Sequence, residues 1–305
     1  MAWIPERVVG PDLARSLIES QFPDLRPARV EPFGQGFDNT AYRVNGAWVF
    51  RFPRRQVAVA LMEREPRLLP ILAPSLPLQI PVPDRIGRGN EEFPWPFAGY
   101  REIPGQTACR AALSDAERAA AARPIGQFLK ALHAFSIEEA ARLGAPGDEL
   151  ERMNVPMRSQ RARATLDELA ALGLIEPGVR RGIDAVIEEA PAQSVRPPPA
   201  LLHGDLYSLH VLVDEQRRPA GIIDWGDIHV GDRAVDLAIA PIFLPPAAHA
   251  VFEEAYGPID PDTWRLARFR AVYHSASAAR FAHAVGDRDL ERESLLALRR
   301  TGSPG

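Results

Sequence analysis

The chain has 305 residues, enough for one large domain or two lobes, and its 46% hydrophobic and 25% charged residues are typical of globular proteins. A formal net charge of -4, with no run of basic residues, argues against a nucleic-acid partner. The single cysteine, Cys109, excludes an internal disulfide framework and fits a reducing compartment. No apolar run approaches the roughly 18 residues of a membrane span and no secretory signal is visible, so we predict a cytoplasmic protein without a membrane partner.

The first third of the chain predicts mainly β-structure. A short amphipathic helix is indicated over residues 11–22, and the dipeptide Asn45-Gly46 predicts a hairpin because both residues tolerate positive φ. The next helix should be broken or kinked near Pro66 and Pro70, since proline lacks the N–H that a helix interior uses. Two further short strands follow.

After Gly105 the pattern becomes helical. The residues "SDAE" at 114–117 are typical of a capping box that opens a helix, and the apolar stripe continues past Pro124, where we expect a bend. The strand-like segments "VLVD" and "GIIDW" flank a turn at residues 214–220. A β-rich first third and a helical remainder indicate two lobes with a boundary near Gly105.

Two aspartates lie at the ends of this predicted strand pair. Asp205, in "HGDL", precedes the first strand, and Asp224, in "IIDWGD", ends the second. Hairpin geometry brings these positions together, and two converging carboxylates suit a Mg²⁺ ligand beside a group that accepts a proton or orients a hydroxyl. The simpler interpretation is that each aspartate caps a turn.

The segments "LLHGDLYSLHVLVD" and "GIIDWGDIHVGDRAVDLA" resemble the catalytic and metal-binding segments of the aminoglycoside and macrolide phosphotransferases, antibiotic kinases with a protein-kinase-like fold. The upstream segments "GQGFDNTAYRVNGAWVFRFP", "EPRLL", "YREIPG" and "FLKALHAF" agree in order. The resemblance implies an α+β fold with a β-rich nucleotide-binding lobe over residues 1–104 and a mainly helical catalytic and acceptor-binding lobe over residues 105–305. It also implies transfer of the γ-phosphate of ATP or GTP, with Mg²⁺, to a hydroxyl of a small molecule such as a macrolide or an aminoglycoside.

In the second lobe the resemblance assigns roles to five residues. Asp205 would be the catalytic aspartate, and Asp224 would hold Mg²⁺ on the nucleotide phosphates. Asp232 and Asp236 would be a helix cap and a buried anchor of the catalytic loop. His203 would support that loop by hydrogen bonding.

His210 stands where the family usually has an asparagine that helps to hold a metal ion. Mg²⁺ prefers an amide oxygen to an imidazole nitrogen. Three alternatives stay open: His210 coordinates the metal, it contacts a phosphate, or the second metal ion is held more loosely. A fourth interpretation makes it a core or hydrogen-bonding histidine.

In the first lobe, Gly34 and Gly36 resemble a shortened phosphate-covering loop. Arg51 stands where kinases place the phosphate-binding lysine, in a chain with a single lysine. Guanidinium also binds phosphate well, although its planar fork differs from a point charge. Val49 would contact the nucleotide base, and Glu65 would pair with Arg51.

The segment "GYREIPGQ" resembles the hinge that pairs with a nucleotide base through the backbone of residues 101 to 103, including Arg101 and Ile103. Asp227 is a candidate acceptor contact. Between residues 245 and 305 acidic residues and arginines are equal in number, so the sequence shows no acidic pocket for a polycation.

Other functions fit parts of the pattern. A catalytically weak nucleotide-binding protein would explain Arg51 and His210, and the acceptor of an active kinase could be a metabolite alcohol rather than an antibiotic. A metal-dependent hydrolase using His203, Asp205 and Asp224 with His210 would leave the first-lobe residues without a purpose. The oligomeric state stays open.

Overall fold

The computed structural model describes residues 5–36, 38–192 and 197–303. The chain divides into two compact units: unit 1 comprises Met1–Pro74 and Gln79–Ile103, and unit 2 comprises Ser75–Leu78 and Pro104–Gly305. The segment Ser75–Leu78, expected in the first lobe, therefore groups with unit 2. The α+β fold class is confirmed, with a β-rich unit 1 and a mainly helical unit 2.

Unit 1 is built around one antiparallel five-stranded sheet. Its elements in chain order are α1 (Pro11–Gln21), β1 (Val30–Gln35), β2 (Asn39–Val44), β3 (Trp48–Pro53), α2 (Gln56–Leu72), β4 (Arg85–Gly87) and β5 (Phe97–Arg101). The strand order is β1-β2-β3-β5-β4. Short 3-10 turns follow α1 and α2, at Pro23–Leu25 and Ala73–Ser75.

The predicted hairpin joins β2 to β3. Asn45 and Gly46 have φ values of 53° and 66°, the left-handed conformations that the turn requires. Beyond the turn, Trp48, Phe50 and Phe52 enter the core on alternate positions of β3. The sequence pattern therefore predicted the turn. All six residues of β3 are buried, so both faces of this strand are covered.

The predicted break in the second helix is wrong, because α2 runs without interruption through Pro66 and Pro70. Both prolines lie on partly exposed positions, while Leu68, Leu69 and Leu72 are fully buried. Each proline costs the helix a hydrogen bond, but the burial of this leucine face outweighs that loss.

Unit 2 is mainly helical and includes two small sheets. Its helices are α3 (Asp115–Ala120), α4 (Ala122–His133), α5 (Ile137–Arg142), α6 (Val155–Ala171), α7 (Pro177–Glu189), α8 (Ala234–Leu237), α9 (Ile239–Phe243), α10 (His249–Tyr256), α11 (Pro261–Val285) and α12 (Arg288–Gly302). Its strands are β6 (Gln106–Thr107), β7 (Ala200–Leu202), β8 (Val211–Val213), β9 (Pro219–Ile222) and β10 (His229–Gly231). The sheets have the orders β10-β7 and β6-β8-β9, and a 3-10 turn, Pro246–Ala248, precedes α10.

The capping box is present at the start of α3: the Ser114 side chain accepts from the Glu117 N–H, and the Glu117 carboxylate accepts from the Ser114 N–H. The expected bend at Pro124 is instead a break between two helices, at Ala121. Pro124 lies in the first turn of α4, where a missing N–H costs little.

The strands β8 and β9 pair antiparallel, as their apolar segments predicted. In the part of the chain that the structure describes, no helix is long and apolar enough to cross a membrane.

Candidate active site

The "HGD" segment forms a loop after β7, and Gly204 is the residue that its shape requires. Gly204 has a φ of 87°, and a Cβ there would lie 2.3 Å from the carbonyl oxygen of Asp227. A side chain at this position would meet both backbone strain and a backbone clash. The glycine therefore allows Asp205 to follow directly from a tight, closely packed turn.

The buried carboxylate of Asp236 holds this loop in place. It accepts hydrogen bonds from the backbone N–H groups of His203, at 2.7 Å, and of Gly204, at 2.8 Å. His133, from α4, lies 3.3 Å from the same carboxylate and contacts the Tyr256 hydroxyl with its other ring nitrogen. Burial acts to raise the pKa of Asp236, but the contact with His133 and the backbone hydrogen bonds outweigh it and lower that pKa. The geometry is that of a buried anchor.

His203 connects the Asp205 loop to the Asp224 loop. Its Nε2–H donates to the carbonyl oxygen of Ile223, at 3.0 Å, and its Nδ1 accepts from the Asp205 N–H, at 3.3 Å. Both ring nitrogens are thus used by backbone groups, which requires the neutral ring. Burial lowers the pKa of His203, in agreement with that state.

The carboxylate of Asp205 is surrounded by nitrogen-bearing side chains. Its Oδ1 lies 3.6 Å from Nη2 of Arg270 and 3.5 Å from Nδ1 of His274, while its Oδ2 lies 3.8 Å from Nδ1 of His210. The Asp205 side chain is 29% exposed. The structure therefore leaves a part of this carboxylate accessible while cationic and polar groups hold the remainder.

His210 lies between the two aspartates that the sequence singled out. Its Nδ1–H donates to the carbonyl oxygen of Asp205 at 2.7 Å, and its Nε2 lies 3.3 Å from Oδ2 of Asp224. Burial alone would lower the pKa of His210, but the contact with Asp224 and the charges of both aspartates raise it to about 9. The structure thus brings Asp205, His210 and Asp224 into one group.

Asp227 is half-exposed and does not stand alone. Arg152, which is 7% exposed, bonds Asp227 with Nη2 and Asp148 with Nη1, the second contact being 2.7 Å. Tyr273 donates its hydroxyl to the Arg152 carbonyl, at 2.6 Å. The candidate acceptor contact is therefore half of a charge pair within unit 2.

In unit 1, the predicted pair of Arg51 and Glu65 is present. Nη1 of Arg51 donates to both carboxylate oxygens of Glu65, at 3.0 and 2.9 Å, and the two residues are 9% and 2% exposed. Val49, two residues earlier on β3, is 2% exposed and pairs with Tyr100 across the sheet. The helix α2 thus fixes the direction of the Arg51 side chain.

Neither packing nor backbone conformation requires glycine at the two glycine positions of the β1–β2 region, Gly34 and Gly36. A Cβ on Gly34 would meet nothing within 4 Å, and a Cβ on Gly36 would approach only the Asn39 carbonyl, at 4.0 Å. Neither has a positive φ among the described backbone angles. The fold of unit 1 therefore tolerates a side chain at both positions.

The hinge-like residues end β5. Arg101 pairs with Trp48 across the sheet, and its guanidinium lies 4.1 Å from the centre of the Trp48 ring. The Glu102 N–H donates to the Ala47 carbonyl at 3.0 Å, and Ile103 is buried. The N–H of Glu102 is therefore engaged within unit 1, which removes one backbone group from the set expected to pair with a base.

Sequence reasoning missed Arg270 and His274, which lie beside Asp205, and it considered Tyr273 only as one of several aromatic residues that would suit a bulky acceptor. Arg270, Tyr273 and His274 all come from α11, and their spacing of three and four residues places them on one helix face. That spacing is visible in the sequence, but the periodicity does not say which loop the face meets. His274 is partly buried, and its buried Nε2 has no hydrogen-bond partner in the described part of the chain.

The donor set at Asp224 fits a magnesium ion that arrives with a nucleotide. Among residues 5–36, 38–192 and 197–303, no group of three or more His, Cys, Asp and Glu is arranged to hold a metal ion. Mg²⁺ bound with phosphates usually takes only one or two carboxylates, with water and phosphate oxygens as the other ligands. The 53% exposed carboxylate of Asp224, next to His210, supplies such a partial set.

Residues 29–283 match the model of the phosphotransferase enzyme family. The chain belongs to this family. Among solved structures, this phosphotransferase is similar to the GDP complex of aminoglycoside 2'-phosphotransferase-IIIa, with a TM-score of 0.71 and 27% identity over 96% of this chain and 99% of that one. A GDP and kanamycin complex titled APH(2")-IIia gives a TM-score of 0.68 and 27% identity, with coverage of 94% and 97%.

A macrolide relative has a similar fold. The apoenzyme of macrolide 2'-phosphotransferase MphH from Brachybacterium faecium gives a TM-score of 0.59 and 26% identity, over 94% of this phosphotransferase and 98% of that chain. The predicted resemblance to aminoglycoside and macrolide phosphotransferases is thereby confirmed, together with the kinase-like fold class.

Proposed function

We propose that this protein transfers the γ-phosphate of a nucleoside triphosphate to a hydroxyl group of a small molecule. The observation that carries the proposal is the group of Asp205, His210 and Asp224, which come from two loops: Asp236 anchors the loop of Asp205, and His203 connects it to the loop of Asp224. Phosphoryl transfer asks mainly for positioned charges, and this group supplies them from side chains fixed by buried hydrogen bonds.

Asp205 is the proposed catalytic residue. Its carboxylate orients the acceptor hydroxyl and takes its proton while the new P–O bond forms and the bond from the γ-phosphorus to the bridging oxygen breaks. The products are the phosphorylated acceptor, the nucleoside diphosphate and one proton. Arg270 and His274 support this role because their nitrogen atoms lie 3.6 Å and 3.5 Å from Oδ1, so that the carboxylate has neighbours of complementary charge and polarity before the acceptor binds.

Asp224 and His210 are the proposed metal-site residues. Bound Mg²⁺ would neutralise charge on the phosphate oxygens. Asp224 offers the hard oxygen ligand, and His210 either joins it as a ligand or contacts a phosphate. The 3.3 Å between Nε2 and Oδ2 suits two groups that share one cation or one phosphate.

Side chains and glycines of unit 1 are proposed to bind the nucleotide. Arg51, oriented by Glu65, would contact phosphate oxygens, and the guanidinium suits phosphate well. Val49 would contact the base. The two glycines Gly34 and Gly36 leave room for close backbone contact with phosphate, which is a reason for glycine that the fold itself does not provide.

The backbone groups of Arg101 and Ile103 would pair with the base, and they leave the choice between ATP and GTP to experiment. The acceptor is a small-molecule alcohol: a macrolide, an aminoglycoside or a metabolite. Asp227 is the proposed acceptor contact in unit 2, through the carboxylate edge that Arg152 does not bind.

The alternative of a metal-dependent hydrolase is not favoured, because both nitrogens of His203 are engaged by backbone groups and cannot bind a metal ion. A catalytically weak nucleotide-binding protein would differ from the proposed enzyme only in its turnover.

The deciding measurement is release of nucleoside diphosphate from ATP and from GTP, with Mg²⁺, across macrolides, aminoglycosides and metabolite alcohols.

We expect acceptor-dependent release that disappears in Asp205→Asn while nucleotide binding remains. Nucleotide binding without release on any acceptor would favour the catalytically weak protein. Absence of nucleotide binding would contradict both.

A further inference from the structure

The charges next to Asp205 narrow the class of acceptor. Two acidic residues of this region, Asp148 and Asp227, share the single buried guanidinium of Arg152. Polycationic ligands are favoured by clefts with an excess of negative charge. The ion pairs with Arg152 reduce the negative charge that Asp148 and Asp227 offer to a ligand.

A second guanidinium in this region lacks a carboxylate. Arg158, on α6, donates to the backbone carbonyls of Leu150 and Glu151, the latter at 3.2 Å. Within the described residues no Asp or Glu oxygen lies within 4.0 Å of Arg158, although most other arginines of unit 2 have such a partner. Its side chain is partly exposed, so it is a fixed cation that a ligand can reach.

Arg158 and Arg270 meet the same aromatic ring. Their guanidinium carbons lie 5.5 Å and 4.7 Å from the centre of the Tyr273 ring, and Nη2 of Arg270 lies 3.6 Å from Oδ1 of Asp205. The Tyr273 ring therefore connects Arg158 to Arg270, and Arg270 lies beside the catalytic carboxylate. An acceptor whose hydroxyl reaches Asp205 lies next to Arg270, and Arg158 contacts the same ring as Arg270.

The cations of this region also destabilise one another. Burial lowers the pKa of the Arg158 guanidinium, Tyr273 opposes this, and the charges of Arg270, Arg161 and Arg152 lower it further. A group with this environment is stabilised by an anion, because a bound oxyanion would relieve the repulsion among the cations.

We propose that the acceptor carries an oxyanion, a carboxylate or a phosphate, that Arg158 binds next to Tyr273. The inference rests on the proposed function, since it names the acceptor class of the same site. It makes Arg158 a specificity-determining residue, and it places aminoglycosides, which are polycations, outside the acceptor class.

The test uses four ring-matched probes that differ in charge: glucuronate, glucose 6-phosphate, glucose and glucosamine, with kanamycin as a polycation. Binding is measured by calorimetry on the whole protein with Mg²⁺ and saturating ADP or GDP, so that phosphate-binding residues of the nucleotide site are occupied. We expect the two anionic probes to bind and the other three to bind more weakly or not at all. Comparison of glucuronate with glucose 6-phosphate then shows whether the site prefers a carboxylate or a phosphate.

The variants are Arg158→Gln, Arg158→Lys and the control Arg181→Gln, which removes an exposed arginine of α7. A charge-assisted hydrogen bond predicts a loss of about tenfold to a hundredfold in affinity for the anionic probes in Arg158→Gln, partial recovery in Arg158→Lys and no change in the control. Binding of glucose should be equal in all variants. A melting temperature equal to that of the wild type shows that the variants fold.

Two results overturn the inference: equal anion binding in Arg158→Gln and Arg181→Gln, or tighter binding of glucosamine or kanamycin than of either anionic probe. Phosphate transfer confined to kanamycin or a macrolide would overturn it and leave the proposed function standing. Arg158-dependent anion binding without phosphate transfer to any compound would keep the assignment of the cation and contradict the proposed function.

Discussion

At the scale of single residues, the site depends on backbone groups that two buried side chains hold in place by hydrogen bonds. Asp236 accepts two backbone N–H donors from the Asp205 loop, and His203 uses both ring nitrogens on backbone partners. Neither side chain needs to touch a substrate to be required for activity. They keep Asp205 where a hydroxyl can meet it.

Replacing Asp205 by Asn should remove transfer without removing nucleotide binding, since an amide keeps the shape but cannot accept the hydroxyl proton. General-base removal predicts a fall in kcat of about a hundredfold to ten-thousandfold. Steady-state kinetics with ATP and with GTP measure it, and Asp167→Asn, at an exposed carboxylate on α6, is the matched control. Unchanged kcat in Asp205→Asn would remove this residue from the mechanism.

Replacing Asp236 by Asn should cost about 3 kcal/mol in the free energy of unfolding at pH 7, because an amide turns one acceptor edge into a donor that faces buried N–H groups. The native pKa of Asp236 is lowered, so its stabilisation is present above the ordinary carboxyl pKa and is lost as the pH falls through the native value. Urea titrations of wild type and variant at pH 7 and at lower pH should therefore converge on acidification. A difference in unfolding free energy between wild type and variant that grows on acidification would contradict the lowered pKa of Asp236.

At the scale of elements, the tight loop after β7 and the long helix α11 define the site together. The loop brings Asp205 out through a left-handed glycine, and α11 presents Arg270, Tyr273 and His274 on one face. The local sequence of the loop was informative because positive φ and the aspartate are encoded within three residues. The face of α11 was not, because its partner is distant in the chain.

The glycine loop gives a test that separates strain from clash. Gly204 and Gly144 have φ values of 87° and 95°, but a Cβ has nothing within 4 Å at Gly144 and meets the Asp227 carbonyl at 2.3 Å at Gly204. Backbone strain should destabilise both alanine variants by about 1 to 2 kcal/mol. Only Gly204→Ala should lose further stability, because its Cβ also clashes with the Asp227 carbonyl. Thermal unfolding should show a larger loss for Gly204→Ala, accompanied by lost transfer; equal losses would show that the loop can relax.

A buried ion pair joins α3 to α12, and it can be tested as a pair. Arg118 and Glu293 are 1% and 6% exposed, with Nη2 at 2.7 Å from the carboxylate. Glu293→Leu should destabilise by about 3 kcal/mol because it leaves a buried guanidinium uncompensated, and the double variant Arg118→Met with Glu293→Leu should recover much of that loss. Urea unfolding of both variants and of Arg118→Met completes the cycle, and additive losses would contradict the coupling.

At the scale of the molecule, the sequence predicted those parts of the structure whose conformation is determined by a few neighbouring residues. Asn45-Gly46 encodes a hairpin, and "HGD" with "IIDW" encodes the loop ends that bring Asp205 and Asp224 to His210. The passage of α2 through Pro66 and Pro70 was not predictable, because tertiary burial of its leucines decides it. The ion pair of Arg152 with Asp227 joins residues that are 75 positions apart, so it could not be predicted from a local sequence pattern.

Ligand binding gives a measurement on the whole molecule. Nucleotide with Mg²⁺ at about one hundred times its Kd should raise the free energy of unfolding by about 2.7 kcal/mol, since it binds only the folded protein. In Asp224→Asn the part of this stabilisation that requires Mg²⁺ should fall, while the part seen with EDTA should remain. Thermal unfolding with and without EDTA separates the two, and an unchanged Mg²⁺ effect would assign the metal to other residues.

Asp224 has a φ of 64°, a conformation that aspartate tolerates and glycine prefers. Changing Asp224 to glycine would therefore remove the carboxylate without adding backbone strain. The backbone conformation therefore offers Asp224 no protection against replacement by glycine. What such a replacement would remove is the contact with His210 and, under the proposed function, the metal ligand. A descendant that no longer needed either could lose this carboxylate without any backbone strain to select against the change.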